Sequence, residues 1–153
     1  LPGIGALVVP YRRWPAAAAV FHAMLRRAEK LTALRAHELG IVDALAEDSR
    51  ALFDLAAARV RALAGRRHRV AGGAIAIPPL DAAEPSTADG MALSPTVIGL
   101  IEDAIRAAAA APTLEAALEA GYRAFGKSAC TAAAREGIRA FGERRRPDFT
   151  PTG

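Results

Sequence analysis

Apolar positions in this chain recur mostly at helical spacing. Between Asp48 and Gly65, the residues Leu52, Leu55, Ala56, Val60 and Leu63 fall on one face of a helical repeat. Asp48 and Ser49 offer N-caps at its start, and Gly65 stops it. Ser94-Pro95 reads as an N-cap followed by proline at the first helical position. The helix it opens carries Val97, Ile98, Ile101, Ala104 and Ile105 on one face. Pro112-Thr113 breaks and restarts the pattern, and Leu114, Ala117, Leu118, Gly121, Tyr122 and Phe125 line the next helix. Gly121 in its middle predicts close approach of another backbone. A last helix from Thr131 to about Arg145 presents Ala134, Ile138 and Phe141 before Pro147 stops it.

The first third is less regular. Pro2, Gly3, Gly5 and Pro10 mark Leu1 to Tyr11 as loop, and Pro15 suits the first turn of a helix running to about Ala28. Thr32 is placed to cap a short helix over Ala33 to Leu39. Gly40 then leaves it with positive φ, and Ile41 to Leu45 is expected as a short buried strand. From Arg66 to Leu93 the character changes, from the charge run Arg66-Arg67-His68-Arg69 through apolar, Gly-containing Val70 to Ile77 to turn-rich Pro78 to Gly90. That stretch reads as a loop excursion with at most a short strand, so the chain is organised as 1–65, 66–93 and 94–153.

Composition adds limits. A chain of 153 residues that is 52% hydrophobic and 24% charged is expected to form one soluble domain or part of one. With aromatics at 5%, the core must come from Leu, Ile, Val and Ala. The net charge of +4 is spread as arginines among Asp and Glu rather than as one basic stripe, and no helix-turn-helix pattern is present, which disfavours nucleic acid. No apolar run approaches the roughly 20 residues of a membrane span, and no signal peptide is evident. Cys130 is the single cysteine, so an intrachain disulfide and a cysteine metal site are excluded. It reads as a small buried residue, since no base can be assigned to it. His22, His37 and His68 lie on three different elements without metal-ligand spacing, and His37 is expected at the surface. Asp43, Glu102 and Asp103 read as ordinary charges. Trp14 beside Arg12 and Arg13 is either a ligand contact or an aromatic anchor at a helix start.

Three landmarks together resemble the C-terminal half of the crotonase (enoyl-CoA hydratase/isomerase) superfamily. Pro2-Gly3-Ile4-Gly5-Ala6 resembles the family's Pro-Gly-x-Gly-Gly loop, with Ala6 in place of the last glycine. Thr32 to Val42 matches the family pattern Ser/Thr-Ala-x-x-Ala-x-x-x-Gly-Leu/Ile-Val at every defined position. Phe125, the run Arg135-Glu136-Gly137-Ile138-Arg139-Ala140-Phe141, the cluster Arg144-Arg145-Arg146 and Phe149 follow the order of the family's helical tail. Only 66–93 departs, being longer than the usual connection.

The resemblance implies an α/β crotonase-like spiral fold overall, of which this segment is mainly α-helical with one or two short strands. Residues 1–65 would complete the spiral core, and 94–153 would form the helical trimerisation region of a homotrimer or hexamer. It implies an acyl-CoA substrate, with coenzyme A entering as part of that substrate, no separate cofactor and no metal. Two backbone N–H groups would stabilise an enolate oxyanion, and glutamates would move protons or activate water. In the family those groups precede the Pro-Gly-x-Gly loop, and this chain opens inside that loop without an initiator Met. The catalytic residues are therefore expected in an N-terminal half that is a partner of this segment, with none in the segment itself. Pro2, Gly3, Ile4 and Gly5 would form a wall beside the acyl group, Phe125 would line the acyl pocket, and Phe141 and Arg144 would lie near coenzyme A, where a guanidinium suits phosphate.

From spacing alone, the loop is equally a tight turn, each Phe equally helix core, and the arginine cluster equally a helix end favoured by the dipole. Enoyl-CoA hydration in the cytoplasm, without membrane or nucleic-acid partners, is the leading expectation. Isomerisation or hydrolysis by the same scaffold is the alternative within the family. A non-catalytic helical oligomerisation module is the alternative outside it.

Overall fold

The computed structural model describes residues 3–66, 70–82, 86–87 and 89–152, and for Ile4 the backbone alone. These residues are mainly helical. Seven α-helices follow one another: α1 (Val9–Arg13), α2 (Ala18–Arg27), α3 (Ala33–Glu38), α4 (Ser49–Leu63), α5 (Pro95–Ala110), α6 (Leu114–Ala129) and α7 (Ala132–Gly142). Short 3₁₀ turns occupy Ile4–Leu7, Pro15–Ala17 and Thr150–Thr152. Among the described residues the only β pairing is an isolated antiparallel bridge between Ser86 and Ala92. The chain divides into two compact units, 1–29 with 71–153, and 30–70.

In the first unit, α5 and α6 form a hairpin across the short Ala111–Thr113 connection. Both helices begin on side-chain caps: the Ser94 and Thr113 oxygens accept from the Val97 and Ala116 amides. Ile101, Ala104, Ile105 and Ala108 of α5 and Ala117, Gly121 and Ala124 of α6 are buried. Because the buried face of α6 is made of Ala and Gly, its larger Tyr122 and Phe125 stand on the adjoining face and stay exposed. That corrects their expected place on the core face. The Ile4–Leu7 turn packs on α5 and α6, with Leu7 and Val8 almost fully buried. Each such aliphatic side chain contributes about 1.5–3 kcal/mol by leaving water.

Three further expectations are overturned. Val9–Arg13 is helix rather than loop, because Pro10 falls in the first turn, where its missing N–H is harmless, and Tyr11 and Arg12 are held in the core. No strand forms at Ile41–Leu45. The left-handed Gly40 (φ +69°) folds the chain back so that the Ile41 N–H bonds to the Ala36 carbonyl and the Gly40 N–H to that of His37, a Schellman closure. Cys130, expected buried, is exposed.

The second unit holds α3 and α4. Thr32 and Asp48 cap them through the Arg35 and Ala51 amides, and Ala36 is buried. His37 is exposed, and its Nδ1 lies 3.0 Å from the Val42 carbonyl oxygen. An exposed ion pair joins Arg59 to Asp43 at 3.3 Å. None of the fifteen residues of α4 is buried, and Leu52, Phe53 and Val60 stand exposed. His68 lies outside the described residues.

Candidate functional site

The first unit contains an open apolar cleft of about 540 Å³, within the roughly 300–1,000 Å³ of small-molecule sites. Leu25 and Arg26 at the end of α2 form one wall, and Val97, Ile98 and Ile101 of α5 another. Phe125 of α6 and Ala134, Ile138 and Phe141 of α7 complete the lining, with Phe149 from the tail. The α7 register that gives this wall follows from the Thr131 cap, whose hydroxyl oxygen accepts from the Ala134 amide.

The tail is clamped in place. Arg145 donates to both carboxylate oxygens of Glu136, at 2.6 and 3.0 Å, and the Asp148 N–H donates to the same carboxylate at 3.0 Å. Those hydrogen bonds hold the Glu136 carboxyl down at about 2. The clamp lays the Phe149 ring against Gly137, 3.9 Å from where a side chain there would begin. Arg146 ties the same segment to Asp89 at 3.2 Å. Two of the three clustered arginines are therefore engaged within the chain. Arg144 sits in the left-handed conformation (φ +54°) that ends α7, is exposed, and does not line the cleft.

Of the positions the sequence singled out, the structure brings Phe125 and Phe141 to this one cleft, Phe141 at its exposed rim. Gly3 is exposed and Gly5 half-buried around the Ile4–Leu7 turn, and neither lines the cleft. Pro2 lies outside the described residues, as does the side chain of Ile4.

A buried polar cluster behind the α2 wall was not foreseen. Tyr11 Oη and His22 Nδ1 are 2.8 Å apart, and burial holds the phenol well above its usual range. Burial also depresses His22, so the imidazole is neutral. The Pro78 carbonyl, close by but outside hydrogen-bond geometry, pulls the other way, and Arg26 reinforces the depression. Arg26, 7% exposed, donates from Nε to Glu102 at 2.9 Å and from Nη2 to the Asp81 carbonyl. Glu102 also accepts from Arg106 at 3.1 Å.

Arg12 is buried, and among the described residues no carboxylate pairs with it. It donates to the carbonyls of Ala71, Gly73, Ala108 and Ala111, so the C-terminal carbonyls of α5 and the facing 71–73 segment carry its counter-charge. Trp14 proves to be an anchor: it packs 6.3 Å from Phe21 and lies under Arg13. Sequence alone could not find this cluster, because its members come from four separate segments and each residue type is ordinary by itself.

The polar groups lining the cleft are few. The Ser128 hydroxyl donates to the Phe125 carbonyl, the Thr131 hydroxyl to the Ser128 carbonyl, and Ser94 caps α5. Among the described residues no group of three or more His, Cys, Asp or Glu is placed to hold a metal. None of their helices is long and apolar enough to cross a membrane. The arrangement can enclose an apolar group and donate hydrogen bonds from Arg26. Among the described residues its lining holds no paired carboxylates for proton transfer. No family model, curated protein or solved structure matches the chain.

Proposed function

We propose that this chain is the C-terminal, substrate-enclosing segment of a crotonase-like acyl-CoA enzyme that hydrates a 2-enoyl-CoA. The observation that carries this reading is the convergence of Phe125 and Phe141, the two aromatic positions of the family-like tail, on one apolar cleft of acyl-binding size. The capped helix from Thr32 with its left-handed Gly40, the family-like motif realised in three dimensions, adds support. In this reading the catalytic glutamates and oxyanion donors belong to an upstream segment, the complete fold is the crotonase spiral, and the α7 region contributes to trimers or hexamers in the cytoplasm. Isomerisation or hydrolysis of the thioester would use the same enclosure with different upstream carboxylates.

The test is co-expression of the chain with the coding sequence that precedes it, followed by an assay of crotonyl-CoA hydration. Turnover is expected for the pair and none for the chain alone. Phe125→Ala should lower kcat/KM about tenfold, the usual effect of removing a large apolar contact from a substrate pocket. An unchanged kcat/KM would remove Phe125 from the pocket, and an inactive pair would remove the hydratase reading.

A second reading, a helical oligomerisation module without catalysis, is favoured by the exposed apolar residues of α4 (Leu52, Phe53, Val60) and α7 (Ile138, Phe141). Light scattering on the chain alone decides it: a stable oligomer without any companion polypeptide favours the module, and a monomer argues against it.

A further inference from the structure

The cleft wall contains one charged side chain that neither the tail motif nor the acyl-CoA reading uses. Arg26 is nine-tenths buried and lines the cleft, and the hydrogen bonds that hold it, to Glu102 and the Asp81 carbonyl, use Nε and Nη2 and leave out Nη1. An arginine has five N–H donors in a rigid fork, so a buried guanidinium with an unused nitrogen beside a cavity has donors to offer.

The charges around it decide what kind of acceptor suits them. Glu102 pairs with Arg26 at 2.9 Å, and Arg106, which shares Glu102 at 3.1 Å, is paired with Asp103 as well. With Arg106 balanced by Asp103, Glu102 is left to meet the charge of Arg26, and a second anion brought to Nη1 would meet the Glu102 carboxylate on the same guanidinium. A neutral oxygen gains the hydrogen bond without that repulsion. The rest of the lining, Val97, Ile98, Phe125 and Ile138, asks for an apolar body.

We propose that the cleft binds an apolar chain or ring carrying one neutral hydrogen-bond acceptor, a carbonyl oxygen first, which takes its hydrogen bond from Arg26 Nη1. The inference stands on the cleft and not on the acyl-CoA reading. An acyl group lying in the same cleft would present to Arg26 whatever oxygen it carries away from the thioester. Arg26 is then the specificity-determining residue of the cleft, selecting ligands by an oxygen that the apolar walls cannot recognise.

The test is binding to the 153-residue chain, by calorimetry, of three probes of matched length: methyl hexyl ketone, its analogue with a methylene in place of the carbonyl oxygen, and octanoate. The ketone is expected to bind at least about tenfold tighter than the methylene analogue, the usual contribution of a hydrogen bond to a charged donor, and tighter than octanoate. Arg26→Met should erase the difference between ketone and methylene analogue. Because that variant also loses the Glu102 contact, the three-probe comparison on the unaltered chain stands as the primary readout. Ala134→Phe, which fills the cleft, should weaken all three.

Equal binding of ketone and methylene analogue would overturn the role of Arg26. Tightest binding of octanoate would overturn the neutral-acceptor assignment. No binding of any probe would overturn the cleft as a ligand site.

Discussion

Helices α4 and α6 are nearly the same length and begin on the same device, a short polar side chain accepting from the amide three residues on, yet only α6 buries a face. Asp48 starts α4 and Thr113 starts α6, and both helices are amphipathic. In the first unit the α6 face of Ala117, Gly121, Ala124 and Ser128 is sealed. In the second, the face of α4 carrying Leu52 and Val60 stays in solvent. Local signals are thus enough to place a helix, and partner geometry alone decides whether its apolar face becomes core.

The strongest way to break this contrast is at Arg12. Arg12→Met removes the donor shared by four carbonyls and takes it from the buried Ala108 and Ala111 carbonyls, so it should cost about 3–5 kcal/mol of the first unit's stability. A fall in the urea midpoint of that size checks it. Ala117→Leu probes the helix contact itself. The position is fully buried, and overpacking there should cost about 1–3 kcal/mol, read as a lower midpoint with an unchanged slope.

Caps should matter in both units to a similar and smaller degree. Asp48→Ala is expected to remove about 1 kcal/mol from α4, seen as faster amide exchange over its first turn, although no residue of that helix is buried. Leu52→Ser on the same helix should change stability by less than about 0.5 kcal/mol. A loss of several kcal/mol there would mean that the α4 face is covered in the assembled protein.

His22 sharpens the comparison through pH. Burial lowers its folded pKa below the ordinary 6.5, so the unfolded chain binds a proton first as pH falls. Stability should therefore be level above that pH and decline below it, until the folded imidazole also protonates. His22→Gln should flatten this decline in a series of urea midpoints. Glu136 behaves oppositely to a raised group: its clamp is fully present above about 4.5 and is lost as pH falls toward about 2.

Much of the helical layout was legible. Thr32, Asp48, Ser94 and Thr131 all cap where the sequence predicts, and Thr113 caps the helix at the restart that Pro112-Thr113 marks, because an N-cap is satisfied within three residues of itself. Gly40 takes the positive φ that ends α3, for an equally local reason. The expected strand at Ile41–Leu45 failed because a β-branched, apolar run becomes a strand only when another strand pairs with it. Phe125 and Phe141 were legible as special through the family-like tail, but not their meeting at one cleft.

What the sequence by itself determined is where helices start and stop, since caps, prolines and left-handed turns act over a few neighbouring residues. Which faces are covered, how backbone carbonyls balance the charge of buried Arg12, and why Arg26 rather than the arginine cluster lines the cleft were decided only by the tertiary structure. Those outcomes depend on carbonyls and carboxylates tens of residues away in the chain, and burial and electrostatics act through space rather than along the sequence.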